Sequence, residues 1–203
     1  MSNREKRRAS PAFDMINQSN MLMISNKEKT QEQPNRAKST QLGFKLVRYF
    51  LNPLNLLIQI GFATRKKGKT ALGRAMSHHL RNAVTGEYPD MKIDPAKAKI
   101  SEGSLAPLLN AQAERVGDCM TVKWALPDQF IADYSHWDDE VILCVYDIEA
   151  GNAAVNEQQV IRKDAYMKLQ LPSVLQDRPV HLYLMLHDRD KRMVSHSLYL
   201  GSF

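Results

Sequence analysis

The stretch ATRKKGKT (63–70) carries the residue types of a phosphate-binding loop, a small residue followed after four positions by Gly68-Lys69-Thr70. In such a loop backbone amides turn toward phosphate, the lysine reaches its oxygens and the hydroxyl meets magnesium. A later run, EVILCVYD (140–147), imitates the second element of such a site: an apolar strand closing on Asp147, a carboxylate suited to magnesium. Two features oppose this chemistry. Arg65, Lys66 and Lys67 fill the positions where glycines would let the backbone turn, and Gly68 is the only glycine of the eight residues. The loop also belongs in a parallel sheet wrapped by crossover helices, whereas strands and turns follow Val84 here. Nucleotide hydrolysis at 63–70 therefore ranks third among the readings.

The same residues suit another role. Arg65, Lys66, Lys67, Lys69, Arg74 and Arg81 fall at the start and along one side of an expected helix, where they form one basic surface. Cations at a helix N-terminus oppose its positive dipole end, so their presence there points to something anionic nearby. Contacts from such a cluster to phosphates would bind nucleic acid or another polyanion without sequence preference and with strong salt dependence. The charge is uneven along the chain: 19 Lys and Arg against 7 Asp and Glu in residues 1–100, and 9 against 15 in residues 101–203. A basic half attracts nucleic acid, anionic lipid or an acidic protein surface, and it can equally lie against the chain's own acidic half.

Other chemistry is thinly supported. The six histidines show no ligand spacing, and His78 and His79, being adjacent on a helix, point apart. His79 lies near the apolar face and reads as a partly buried packing residue, while His181 and His187 flank Tyr183 and Met185 on one strand face. In SHS (195–197) the strand sends His196 to the opposite face from both serines, so it activates neither. DDE (138–140) reads as a solvated turn before a strand, and Trp137 beside it as exposed or capping the core. No catalytic residue, metal site or cofactor is expected.

The elements that position these groups follow from periodicity. Residues 1–34 are polar and aperiodic, apart from the apolar island MLMI (21–24), and are expected to be a disordered tail. A helical region is expected over 35–90. Its first helix carries Leu42, Leu46 and Phe50 on one stripe and ends at Asn52-Pro53. LNLLIQIGF (54–62) fits a helix through Leu54, Leu57 and Ile58, or a strand through Leu56, Ile58, Ile60 and Phe62. The cleanest helix runs from Thr70, a fitting N-cap, to Val84, with Gly86 as its stop. From 97 to 203 the period changes to two, with strands expected at AKIS (98–101), MTVKWAL (120–126), EVILCVYD, AYMKLQL (165–171), VHLYLMLH (180–187) and SHSLYL (195–200). The expected fold class is α+β: an N-terminal helical region followed by an antiparallel immunoglobulin- or fibronectin III-like β-sandwich.

Two resemblances rest on particular residues. Trp124 near the end of an early strand, Leu171-Pro172, and Tyr183 within HLYLML resemble a fibronectin type III-like sandwich. So does the final strand with Ser195 and Ser197. Over residues 35–203, the order NPLNLLIQIGF, AMSHHLRNAVTGEYPDMKID, KAKISEGSL, TVKW, DDEVILCVYD and SHSLYLGSF resembles the bacterial domain-of-unknown-function family numbered 6266. Members of that family usually begin with a glycine-rich segment holding a Gly-Lys-x-Gly pattern and a tryptophan. This chain has MSNREKRRASPAFDMINQSN there instead. The resemblance implies helices followed by a β-sandwich, and it carries no activity and no functional residues.

Composition excludes several classes. With 203 residues and 43% hydrophobic content the chain can bury a sizeable core. Its two cysteines, Cys119 and Cys144, make no disulfide framework and are expected to be reduced. The N-terminus lacks the apolar core of a signal peptide, and the greasiest stretch (46–62) is too polar to span a membrane, so a cytoplasmic location is expected. The leading expectation is a non-enzymatic interaction or assembly protein whose partner is another protein or a second copy. Polyanion or nucleic-acid binding is the alternative.

Overall fold

A computed structural model describes residues 32–63, 68–128 and 135–203, with side chains from Asn35 onward. The tail with MLMI, and three of the expected basic residues (Arg65, Lys66 and Lys67), lie outside the described residues. Three helices come first: α1 (Glu32–Leu51), α2 (Asn55–Gly61) and α3 (Ala71–Asn82). Helix α1 stops at Asn52-Pro53 as expected. The ambiguous run 54–62 is helical, and its burial shows why. Leu54, Leu57, Ile58 and Phe62 are buried on one helical stripe, while Leu56 is 81% exposed. Thr70 caps α3, its Oγ accepting from Gly73 N at 3.0 Å. Helix α3 ends at Asn82, short of the expected Val84. Val84–Thr85 (β1) instead pairs antiparallel with Lys92–Ile93 (β2) in a two-residue ribbon that takes over the chain's hydrogen bonds.

Seven further strands form two antiparallel sheets. One contains β3 (Leu109–Val116), β4 (Cys119–Ala125) and β7 (Tyr166–Gln170), in the order β3-β4-β7. The other contains β5 (Glu140–Asp147), β6 (Asn152–Val155), β8 (His181–His187) and β9 (Leu198–Ser202), in the order β6-β5-β8-β9. The fold is therefore α+β, with helices first and antiparallel sheets after them.

Period-two burial assigns the layers. On β8, Leu182, Leu184 and Leu186 join Met120, Val122, Trp124 and Met167 of the smaller sheet in one apolar core. The alternate residues Tyr183 and Met185, with Cys144 and Tyr146 of β5, face a second core built from the helices. Strand β5 is apolar on both faces because it lies between these two cores. Three tyrosines fasten the helices and their connections to the sheet: Tyr146 Oη donates to Phe50 O (3.0 Å), Tyr49 Oη to Glu149 O (3.0 Å) and Tyr183 Oη to Pro95 O (2.9 Å). Burial pushes the Cys144 thiol up to about 12, leaving it a small protonated hydrophobe.

Two expectations are corrected. AKIS (98–101) is not a strand. It is extended chain running beside residues 194–197, and serine hydroxyls replace part of a backbone ladder: Ile100 N donates to Ser197 Oγ (3.0 Å) and Ser101 Oγ to Ser195 O (2.8 Å). Residues 98–103 lie in close contact with Gly61 on one side and, through Gly103, with Val194 on the other. An added Cβ at Gly61 would lie 2.1 Å from Ile100 O, so only glycine lets α2 approach the segment so closely. The turn DDE (138–140) is not solvated throughout. Asp139 is 1% exposed and pairs with Arg162, which is 2% exposed. Arg162 Nε donates to Asp139 Oδ2 (3.0 Å), and its two terminal nitrogens donate to Pro107 O (3.1 Å) and Ala106 O (2.6 Å). His136 N donates to the same Asp139 oxygen (2.8 Å), and Trp124 Nε1 donates to Arg162 O (2.7 Å). The pair ties the β4–β5 connection, the entry to β3 and the start of β7 into one buried knot. Asp139 Oδ1 has no hydrogen-bond partner among the described residues.

Candidate functional site

Two surfaces stand out. The first is the polar face of α3. Lys69, Arg74, Ser77, His78 and Arg81 recur at helical spacing and, with Glu102, line an open cavity of about 480 Å³. The structure thus brings together three of the six expected basic residues, which differ in role. Lys69 is exposed. Arg81 is exposed and folds back along its own helix, with Nε on Ser77 O (3.0 Å) and Nη2 on Ser77 Oγ (2.9 Å). Arg74 is a fastener whose side chain is only 8% exposed: Nη1 donates to Phe62 O (2.9 Å), Nη2 bonds Glu102 (3.3 Å), and Cζ lies 5.6 Å from the centre of the Phe62 ring. His78 is held below its ordinary pKa, first by partial burial and also by Lys99 and Arg81. Its Nε2–H donates to Lys97 O (3.3 Å) and its Nδ1 accepts from Asn82 Nδ2 (3.1 Å), so both nitrogens are engaged as in a neutral ring.

The parts of the phosphate-loop pattern have structural duties. A helix, α2, precedes the loop where a strand was required, and Thr70 Oγ is taken by its cap. Asp147 Oδ1 accepts from Glu149 N and Ala150 N (3.0 Å each) in the β5–β6 turn, and its other oxygen pairs with Arg178. His79 and Ser195 likewise have structural partners. His79, expected to be partly buried, is fully buried. Ser195 Oγ accepts from Leu186 N (2.9 Å) and donates to His196 O (3.0 Å). Among the described residues no group of three or more His, Cys, Asp or Glu is placed to hold a metal, and no helix is long and apolar enough to cross a membrane.

The second surface is a flank of the paired sheets. On one side β3 and β9 approach each other, and Arg115 Nη1 bridges to Arg178 O (2.7 Å) and Phe203 O (3.4 Å). On the opposite side the edge strands β6 and β7 stay apart, each pairing with one neighbour only among the described residues. Between them lies a cavity of about 640 Å³, lined on its apolar side by Ala154, Val155, Val160, Leu169, Leu171 and Pro172. Asn156 ends the β6 ladder with its side chain: Oδ1 accepts from Leu143 N (2.8 Å) and Nδ2 donates to Val141 O (3.2 Å). The β6 edge is consequently short, and the groove mouth stays open beyond it.

A family model described as "Family of unknown function (DUF6266)" matches residues 22–201. The chain belongs to this family. The match agrees with the order of segments read from the sequence and begins earlier than expected, at residue 22 rather than about 35. For this DUF6266 chain, neither the comparison with curated proteins nor that with solved structures produced a match.

Sequence reasoning found the basic face and missed the groove. Its walls come from β6, which is four residues long, from the connection that follows it, and from the end of β7 with Leu171 and Pro172. The signal available was the turn pair Ala150-Gly151 followed by NAAV, with Gly151 at φ +69 completing the hairpin.

Proposed function

We propose that this DUF6266 chain is a non-enzymatic interaction and assembly protein, and that its partner is a protein whose extended segment lies along the β6/β7 flank. One observation carries the reading: two strand edges that have no second neighbour among the described residues face each other across an apolar groove. Unpaired edge amides and carbonyls supply the main-chain bonds of strand addition, and pockets at alternate positions supply side-chain selectivity. The strand order further supports treating the two sheets as a fibronectin type III-like unit. The first, second and fifth strands form one sheet and the fourth, third, sixth and seventh the other, with Trp124 in the shared core and Leu171-Pro172 directly after the fifth strand. One detail departs from that likeness: Tyr183 turns toward the helices and bonds Pro95 O, rather than the connection preceding its own strand.

The experiment places a photo-crosslinking amino acid at Val155, in the groove, and at Thr121, on the outer face of the smaller sheet, in cells that make the chain. A discrete adduct from position 155 and none from 121 is expected, with its mass distinguishing a second copy from another protein. Equal labelling, or none from 155, would refute the assignment.

A second reading concerns the α3 face. Lys69, His78 and Arg81 line one open cavity beside a loop whose sequence adds three further cations, which favours a polyanionic partner. If it binds nucleic acid, affinity falls steeply between 50 and 200 mM salt (roughly tenfold or more for two to three phosphate contacts) and drops in Lys69→Ala/Arg81→Ala. Salt-independent affinity would eliminate it.

A further inference from the structure

Beside the groove and the basic face, a third feature is built with unusual care. Trp137 sits at the tip of the turn 136–139, closed by Asp139 N to His136 O at 3.3 Å. Its backbone is pinned from both sides. Lys163 N donates to Trp137 O (3.0 Å), and Arg162 N donates to Asp139 O (2.8 Å) behind the buried Asp139–Arg162 pair. Yet the residue is 52% exposed. A tryptophan that merely capped a core would be covered. This one is presented to solvent on a turn whose backbone is hydrogen-bonded at Trp137 and at Asp139.

Its surroundings are planar and polar. Trp137 shares a cavity of about 210 Å³ with Asp138, Glu140, Gln159, Ile161 and Arg189. Glu140 is pre-oriented by His187 Nε2 (3.3 Å) and Gln159 Nε2 (3.5 Å) on the same carboxylate oxygen. Two carboxylates accept, an amide both donates and accepts, and a guanidinium donates. Around an exposed aromatic face, that set matches a molecule with an apolar C–H face and a rim of hydroxyls that donate and accept. The carboxylates disfavour phosphate. Lys163, whose Nζ lies 5.7 Å from the centre of the indole ring, and Arg189 in the wall disfavour a cation. A neutral sugar ring meets every group without burying an unpaired charge.

We propose that the Trp137 turn is a binding subsite for a neutral carbohydrate, with one ring packed on the indole and its hydroxyls on Asp138, Glu140, Gln159 and Arg189. The site shares no lining residue with the β6/β7 groove, although both draw on residues 157–161.

The test is native affinity electrophoresis of the full chain through gels containing β-glucan, xylan, galactomannan or soluble α-glucan. Titration of intrinsic fluorescence accompanies it; Trp124 is buried, so quenching reports Trp137. At least one polysaccharide is expected to retard the chain. Trp137→Ala abolishes retardation, Asp138→Asn weakens it about tenfold through one lost charged hydrogen bond, and Thr121→Ala leaves it unchanged. Circular dichroism checks that each variant is folded, and the mild Asp138→Asn variant decides should Trp137→Ala not fold. Mobility unchanged in all four gels overturns the proposal, as does retardation that survives Trp137→Ala. Quenching by a lysine-rich peptide alone also overturns it, assigning the turn to a cationic partner.

Discussion

The Asp139–Arg162 knot makes the sharpest prediction about stability. Arg162→Met keeps the length and apolar stem of the side chain and removes the guanidinium. Asp139 is then a carboxylate with 1% exposure whose one remaining donor among the described residues is the His136 amide, and the carbonyls of Ala106 and Pro107 lose their donor. Orphaning one member of a buried pair costs about 3–5 kcal/mol. In a chain of this size each kcal/mol lowers the melting temperature by about 2–4 °C, so a drop of about 6–20 °C is expected. Two mutations distinguish an orphaned charge from lost packing. Asp139→Asn destabilises the wild-type chain, because it removes the anion facing Arg162. In the Arg162→Met background the same substitution stabilises, because it removes a buried charge with no counterion. Urea unfolding of the four proteins at neutral pH measures both effects as a double-mutant cycle. A cost below 1 kcal/mol for Arg162→Met, or an Asp139→Asn effect of the same sign in both backgrounds, would falsify the reasoning.

Three further outcomes are expected. His79 is held at about 4 by burial, its Nδ1–H donating to Ala75 O and its Nε2 accepting from Lys99 N. The unfolded chain takes up that proton near pH 6.5 and the folded chain only near 4, so stability is full above 6.5. About 3 kcal/mol is lost as the pH falls to about 4. Urea midpoints from pH 7.5 to 4 should show this slope and should show it flattened in His79→Gln, and an unchanged slope would exclude His79 as its source. Gly61→Ala should cost about 1–3 kcal/mol in urea unfolding, since its Cβ meets the Ile100 carbonyl at 2.1 Å; an effect within 0.5 kcal/mol would mean that α2 shifts freely. Val155→Glu, on a 40% exposed wall of the groove, should leave the melting temperature within about 2 °C while abolishing copurification of the partner that the position-155 adduct identifies.

How much of this was legible in the sequence follows from where each element lies in the fold. Helix α1 and its stop, the Thr70 cap and strands β4, β5, β7 and β8 were readable, because each buries large side chains at a regular period. Strand β3 was not, and the reason is physical. As an edge strand it turns Gln112 and Glu114 outward, and between them only Ala111 and Ala113 inward, residues too small to mark an apolar face. Strand β6, with Ala154 as its inward residue, is silent for the same reason. The sequence therefore reveals strands that bury large side chains, the edge strand β7 with Met167 and Leu169 among them, and hides β3 and β6, so the groove we assign to partner binding has one silent wall. The basic face escaped this limit because charge is visible without knowing what it packs against, yet its pattern could not separate Arg74, a fastener, from Lys69, which is exposed. Asp139 and Arg162 stand apart in sequence, and Asp139 sits in a run of acidic residues that reads as solvent-facing until Arg162 is placed beside it. The presentation of Trp137 depends on that pairing. A chain with Trp137 retained and the pair broken should keep its exposed indole but lose the fixed turn that aims it, so its carbohydrate affinity should fall even where Asp138 and Glu140 are intact. Arg162→Met/Asp139→Asn provides this case, and carbohydrate retardation equal to wild type in that folded variant would show that the knot serves stability alone.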